Sequence, residues 1–238
     1  MKRSRFFLLS TSIAVGATLA LVSAARHTAS ARAEIPLEIA SIHWEYNATA
    51  NDLGVHVALD GEDWRQLSIT NPDGKVLFQV KGGGPYRQLG MTELFFEGAE
   101  PALDEFPLQD LLDLFPEGEY EFDGTTVDNT SIGGTALFTH AIPDGPHATA
   151  TVTGNSVRIS WTPVSAPPPG FPDETIDVVS YQVLVPETLD VIVPASVLSL
   201  SLPSEYVAAL PAGEHPFEVL AIDRSGNQTT SEGSFVTH

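Results

Sequence analysis

The chain has no cysteine, only 11 lysines and arginines against 31 aspartates and glutamates, and no long apolar run beyond its first 25 residues. Each shortage excludes something. Without cysteine there are no disulfides, so an exported protein of this kind must be held together by buried cores, and it has no boundary cysteine to carry a bacterial lipid anchor. The few basic residues cluster at the start: five precede residue 34, leaving six against 31 acidic residues and a formal charge of −25 over the rest. That balance excludes nucleic acid and anionic lipid as partners. Between Arg87 and Arg158 there is no basic residue at all, while 13 carboxylates fall in the interval. Motifs that carry chemistry are also missing. There is no Gly-x-Ser-x-Gly elbow, no His-Glu-x-x-His helix and no phosphate loop, since Gly82-Gly83-Gly84 is followed by neither Lys-Ser/Thr nor a helix start.

What is present begins with an export signal. MKRSR is basic, and residues 6 to 25 are apolar, softened by serine, threonine and glycine. This is a secretory pattern. Val22-Ser23-Ala24 and Ala31-Arg32-Ala33 are both small-x-small cleavage sites, the second being favoured, and an uncleaved anchor is the alternative. Cysteine-free export places the protein outside a bacterial cell, secreted or in the periplasm or envelope. The sequons at Asn47, Asn129 and Asn227 would matter only in a eukaryotic secretory path.

From residue 34 the chain reads as short segments of period two broken by turn residues, the pattern of half-buried strands. Ile42, Trp44 and Tyr46 alternate with His43 and Glu45; Val55, Val57 and Leu59 alternate with His56 and Ala58. Asn71-Pro72-Asp73-Gly74 is a hairpin turn between Leu67-Ile69 and Val76-Phe78-Val80. PLQDLLDLF (107–115) alone reads as a helix, with Pro107 in its first turn. The run from Ile142 to Pro146 marks a boundary. The expected architecture is therefore all-β, two tandem β-sandwiches over 34–141 and 147–238 joined by a linker at 142–146, after a signal segment over 1–33.

Two stretches repeat. LFPEGEYEF (114–122) and LPAGEHPFEV (210–219) both place leucine, then Pro-x-Gly, then an aromatic that opens an alternating strand. The second half, from SVRISW (156–161) through VVSYQVLV (178–185) and LSLSL (198–202) to LPAGEHPFEVLAIDRSGN (210–227), resembles a fibronectin type III domain over about residues 146–238. The resemblance implies Trp161 and Tyr181 in the core, and Phe217 as the corner aromatic, without the hydroxyl that usually bonds backbone there. In the first half Tyr120 keeps that hydroxyl, so a tyrosine corner and an immunoglobulin-like sandwich are expected. The similarity extends to secreted bacterial proteins described only by their fibronectin-like domain.

Candidate ligands are few. The oxygen-rich segment from Glu45 to Asp63 offers Asn47, Asn51, Asp52, Asp60, Glu62 and Asp63 to calcium if neighbouring loops bring them together. No other cofactor is implied. His43 and His56 read as solvent-facing residues on polar strand faces. His140 and His238 share a place in the repeat. Trp44 and Trp64 are core residues or, alternatively, a sugar-stacking pair. Two functions follow: a non-catalytic extracellular interaction or scaffold protein with a protein or glycan partner, or a carbohydrate-binding accessory protein or hydrolase with its site in the first half.

Overall fold

The structure, a computed structural model, describes residues 34–237. The expected signal segment with both candidate cleavage points, and His238 with its place in the repeat, lie outside the described residues.

Strands β1 (Ile35–Pro36) and β2 (Ile39–Asn47) lead through a tight turn into β3 (Asp52–Thr70), which runs for 19 residues. Period-two alternation holds along both long strands: Ile42, Trp44 and Tyr46 face the same interior as Leu53, Val55, Val57 and Leu59. A strand of that length cannot stay in one flat layer. Its pairing slips between Asp60 and Trp64 and again between Trp64 and Gln66, and such bulges bend a strand and increase its twist. Gly61 sits in the bend, where a Cβ would stand 3.0 Å from the Leu37 side chain. Before the bend β3 pairs with β2 and with β5 (Met91–Glu97); after it, with β4 (Val76–Lys81) and β6 (Gly118–Thr126). Strand β7 (Ser131–Phe138) completes this half beside β6, and β1 joins β7 in parallel. The two parts of the sheet share one core in which Trp44, Leu59, Trp64, Tyr120, Phe122 and Phe138 are all at most 1% exposed.

The second half has two sheets. One is three-stranded, β8 (Ala148–Thr153), β9 (Ser156–Trp161) and β12 (Ser199–Leu202) in the order β12-β9-β8. The other contains β10 (Val178–Val185), β11 (Leu189–Pro194), β13 (Gly213–Asp223) and β14 (Gln228–Thr237) in the order β14-β13-β10-β11. Between them lies a second core of Val157, Ile159, Trp161, Tyr181, Val183, Phe217, Val219 and Phe235. Trp161 and Tyr181 meet there with ring centroids 5.5 Å apart, and the Tyr181 hydroxyl accepts the Val164 N–H at 2.9 Å. The protein is thus a mostly β, sandwich-like fold.

Among the described residues three short helices punctuate it: α1 (Tyr86–Leu89), α2 (Leu108–Leu114) and α3 (Ser204–Ala209). The sequence reading places only the second. Each of the three follows a proline, at Pro85, Pro107 and Pro203, whose fixed φ suits a helix start. The other two are four and six residues long, too short to show a helical period. So the glycine-rich run expected as a bare connection does lead into a helical turn.

The two halves share a seam. Strands β2 and β14 pair in parallel through Glu45–Gln228, Tyr46–Thr229 and Asn47–Thr230, so one sheet runs from β1 in the first half to β11 in the second. Asn227, only 1% exposed, extends that seam with its side chain. Its Oδ1 accepts the Trp44 backbone N–H at 2.9 Å, and its Nδ2 donates to the carbonyls of Thr139 (2.9 Å) and Ala141 (3.1 Å). The connecting segment is packed as well: Ile142 is fully buried and the Pro143 carbonyl accepts the Thr229 hydroxyl.

The repeated corner differs from its sequence reading. Gly118 (φ 138°) and Gly213 (φ 145°) open β6 and β13 with the same backbone geometry. Two residues on stand Tyr120 and His215. The Tyr120 hydroxyl donates to the Pro116 carbonyl at 3.0 Å, and His215 Nε2 donates to the Pro211 carbonyl at 2.9 Å, each four residues back. The corner residue of the second half is therefore His215, not Phe217. Phe217 lies four residues past its glycine, as Phe122 does in the first half, and both fill cores. Pro216 obscures this in the sequence because it displaces the eye, not the register.

Candidate functional site

Hairpin β2–β3 turns on Asn47, whose Oδ1 accepts the N–H groups of Thr49 and Ala50, both at 3.0 Å. This turn fixes the register Asn47–Asp52, and every pair behind it follows: Glu45 lies opposite Gly54, and His43 opposite His56. All of these side chains except the absent one of Gly54 stand on the face away from the core. In an isolated hairpin that face would be wet. Here β5 lies on one flank and β14 on the other, and the loop after β5 brings Glu100 over Gly54.

The absence of a side chain at Gly54 is what admits Glu100. A Cβ there would overlap the Glu100 side chain. From this position Glu100 Oε1 reaches His56 Nε2 at 3.0 Å, while the opposite ring nitrogen, Nδ1, faces Glu45 Oε2 at 3.6 Å. Gln228, from β14 across the seam, donates its Nε2–H to the same Glu45 oxygen. Rings of His43 and His56 lie 5.4 Å apart, and Phe95 of β5 closes the far side of His56 edge-on at 6.0 Å. His56 is only 5% exposed and His43 is half-buried. The expectation that both histidines face solvent is therefore wrong, because the flanking strands and Glu100 cover a face that the alternation alone assigns to water.

Burial sets the charges. Desolvation, with His56 adding to it, pushes the His43 imidazole down to about 4, so that it is neutral at ordinary pH. Burial also raises the Glu45 carboxyl, against the opposing pull of His56. The same cause raises Asp52 and Glu218, each further raised by Glu232, a carboxylate at the seam. Two carboxyl groups, Glu45 and Glu100, thus flank the His56 ring, and the ligand atoms of His43, Glu45 and His56 all lie within 4.8 Å of one another.

The calcium candidates are not gathered in one place. Asn47, Asn51 and Asp52 sit at the β2–β3 turn, and Asn51 Oδ1 accepts the Tyr46 hydroxyl at 3.0 Å. Asp60 stands opposite Ile39 at the far end of the hairpin, with Glu62 and Asp63 beyond it. Eight residues of strand separate Asp52 from Asp60, about 26 Å at the usual rise. Their positions leave no common centre, since one strand carries both groups and holds them apart. Trp44 and Trp64 are both fully buried, which removes the sugar-stacking platform. Sequence reasoning missed Glu100 and Gln228 because one arrives from the loop after β5 and the other from β14, but the pairing of His43 with His56 was available by counting back from the Asn47 turn.

No family model matches the chain, and no curated protein matches it. Among solved structures, it is similar to the fibronectin(III)-like modules of CbhA from Clostridium thermocellum, at 11% identity and TM-score 0.28, covering 82% of this chain and 92% of that one. It is also similar to Tp47, the 47-kilodalton lipoprotein of Treponema pallidum, at 7% identity and TM-score 0.33, covering 84% of this chain and 50% of that one. With the spore cortex lytic enzyme SleM of Clostridium perfringens the match has 15% identity and TM-score 0.32, covering 40% of this chain and 28% of that one. All three scores are low, and the fold described above rests on the strands themselves.

Proposed function

We propose that the protein is a non-catalytic module of the bacterial exterior or envelope, whose two halves, 34–141 and 147–238, act as one scaffold presenting an acidic surface to a protein or glycan partner. The observation that carries this reading is the seam. A parallel strand pair, a buried asparagine bonded to both sides and a packed connecting segment hold the halves in fixed relation, the requirement of a spacer or platform rather than of a pair of independently moving domains.

A hydrolase with its site in the first half has less support. The groove beside α2, of about 500 Å³, is lined by Trp44, Leu53, Val55, Phe106, Leu111, Leu114 and Phe115 among others, and its one ionisable lining residue is Glu100. Glu100 is already bonded to His56, whereas glycoside hydrolysis requires a pair of carboxyl groups flanking the bond. Among the described residues no helix is long and apolar enough to cross a membrane. A glycan array read beside a broad hydrolase panel tests the proposal. Binding without turnover, or neither, is the expected result; specific turnover by the purified chain overturns it.

A further inference from the structure

The cluster on the β2–β3 hairpin carries more than a scaffold needs. We propose that His43, Glu45 and His56 form a binding site for a zinc-class divalent ion, with Glu100 and Gln228 as its outer shell. The donor set is two imidazoles and one carboxylate, presented by adjacent strands in fixed register. Borderline first-row ions accept such mixed nitrogen and oxygen donors, whereas calcium takes six to eight oxygens. The site therefore selects a different metal from the one the acidic composition calls to mind.

Two of the three ligands, His56 and Glu45, are oriented by a hydrogen-bonding neighbour. With Nε2–H of His56 donating to Glu100 at 3.0 Å, the ring presents its Nδ1 lone pair on the side of Glu45. A carboxylate behind a ligating histidine is how metal sites set the tautomer and raise ligand basicity. Gln228 plays the same part for Glu45. A lone pair and a carboxylate oxygen 3.6 Å apart repel one another unless a cation or a proton lies between them.

The separations are compatible with closure onto an ion. Donors bound at about 2.0 to 2.1 Å in a tetrahedron lie about 3.4 Å apart, against separations of up to 4.8 Å here. Side-chain rotation supplies the difference, since the strand backbone is already in register. Three protein donors leave a fourth position for water or for a group from a partner. Because Gln228 belongs to β14, an ion on Glu45 would also tighten the seam between the halves.

Calorimetric titration of the full-length chain with zinc chloride, and separately with calcium chloride, tests the site. One zinc per chain is expected, with a dissociation constant of about 1 μM or tighter, and no saturable calcium heat. His43→Ala and Glu45→Gln should each abolish or severely weaken zinc binding. Glu100→Gln and Gln228→Ala should weaken it about 10- to 100-fold, and His147→Ala, at an exposed position, should change nothing. Circular dichroism of each variant separates loss of ligand from loss of fold. Cobalt(II) gives a reading that needs no variant: visible bands of nitrogen-and-oxygen coordination, displaced by zinc, are expected. The spectrum of the hydrated ion alone, the absence of saturable zinc binding, or affinity unchanged in both His43→Ala and Glu45→Gln overturns the proposal.

Discussion

Replacing Asn227 by alanine should reveal how much of the stability resides in the seam. The buried side chain makes three hydrogen bonds to backbone, accepting from Trp44 N and donating to the carbonyls of Thr139 and Ala141. At about 1 kcal/mol net for each, their loss amounts to about 3 kcal/mol, and leaving the Trp44 N–H without an acceptor adds up to about 2 more. Against the 5 to 15 kcal/mol typical of a folded domain, a loss of about 3 to 5 kcal/mol is a large fraction. Urea unfolding followed by tryptophan fluorescence measures it, and the positions of the probes are informative. Trp44 and Trp64 report on the first core and Trp161 on the second, so a Trp161→Phe background isolates the first half. With a slope of about 3 kcal/mol per molar, the midpoint should fall by about 1 M or more. A loss below about 1 kcal/mol would mean that Asn227 decorates the junction without holding it, and the argument for a single scaffold would fail with it.

Other perturbations probe single contacts. Tyr120→Phe removes the bond to the Pro116 carbonyl from a fully buried ring and should cost about 1 kcal/mol, read as a lowered melting temperature; an unchanged melt would show that the corner is held by packing alone. Gly54→Ala should displace Glu100 and break its bond to His56, visible as a changed His56 ring signal in a proton–nitrogen spectrum, whereas an unmoved signal contradicts the steric account. Glu218→Gln should stabilise the protein at neutral pH. Burial first, then Glu232 and Glu45, raise that carboxyl above its unfolded value, so the folded state loses stability as pH rises through the carboxylate range. The gain from glutamine should therefore be full above that range and vanish below about pH 4, and thermal melts across pH would show it.

Much of the fold was legible because it depends on period. Alternation in Ile42–Trp44–Tyr46 and Val55–Val57–Leu59 marks strands and their inward faces, and Pro107 with its leucines marks α2. What period cannot show is which strand comes to lie beside which. Gln228 and Glu45 are 183 residues apart, and nothing local in either segment announces a parallel pairing between them. His56 illustrates the cost: its face reads as polar, which it is, and as wet, which it is not. His215 is a different kind of miss. It was legible by counting from Gly213 as Tyr120 is counted from Gly118, but an aromatic residue was sought where a ring nitrogen could do the work of a phenolic hydroxyl.

The direction of the strands at the seam has a mechanical meaning. Because β2 and β14 run the same way, a pull on the chain before β2 and after β14 drags the two strands past one another along their length. The load then falls on all the bonds of the seam together, Asn227 among them, instead of opening them one after another as in a zipper. Under such a load that arrangement places the greatest resistance where the first half meets β14. Extension by force spectroscopy would register it as one high rupture event preceding the unravelling of either core.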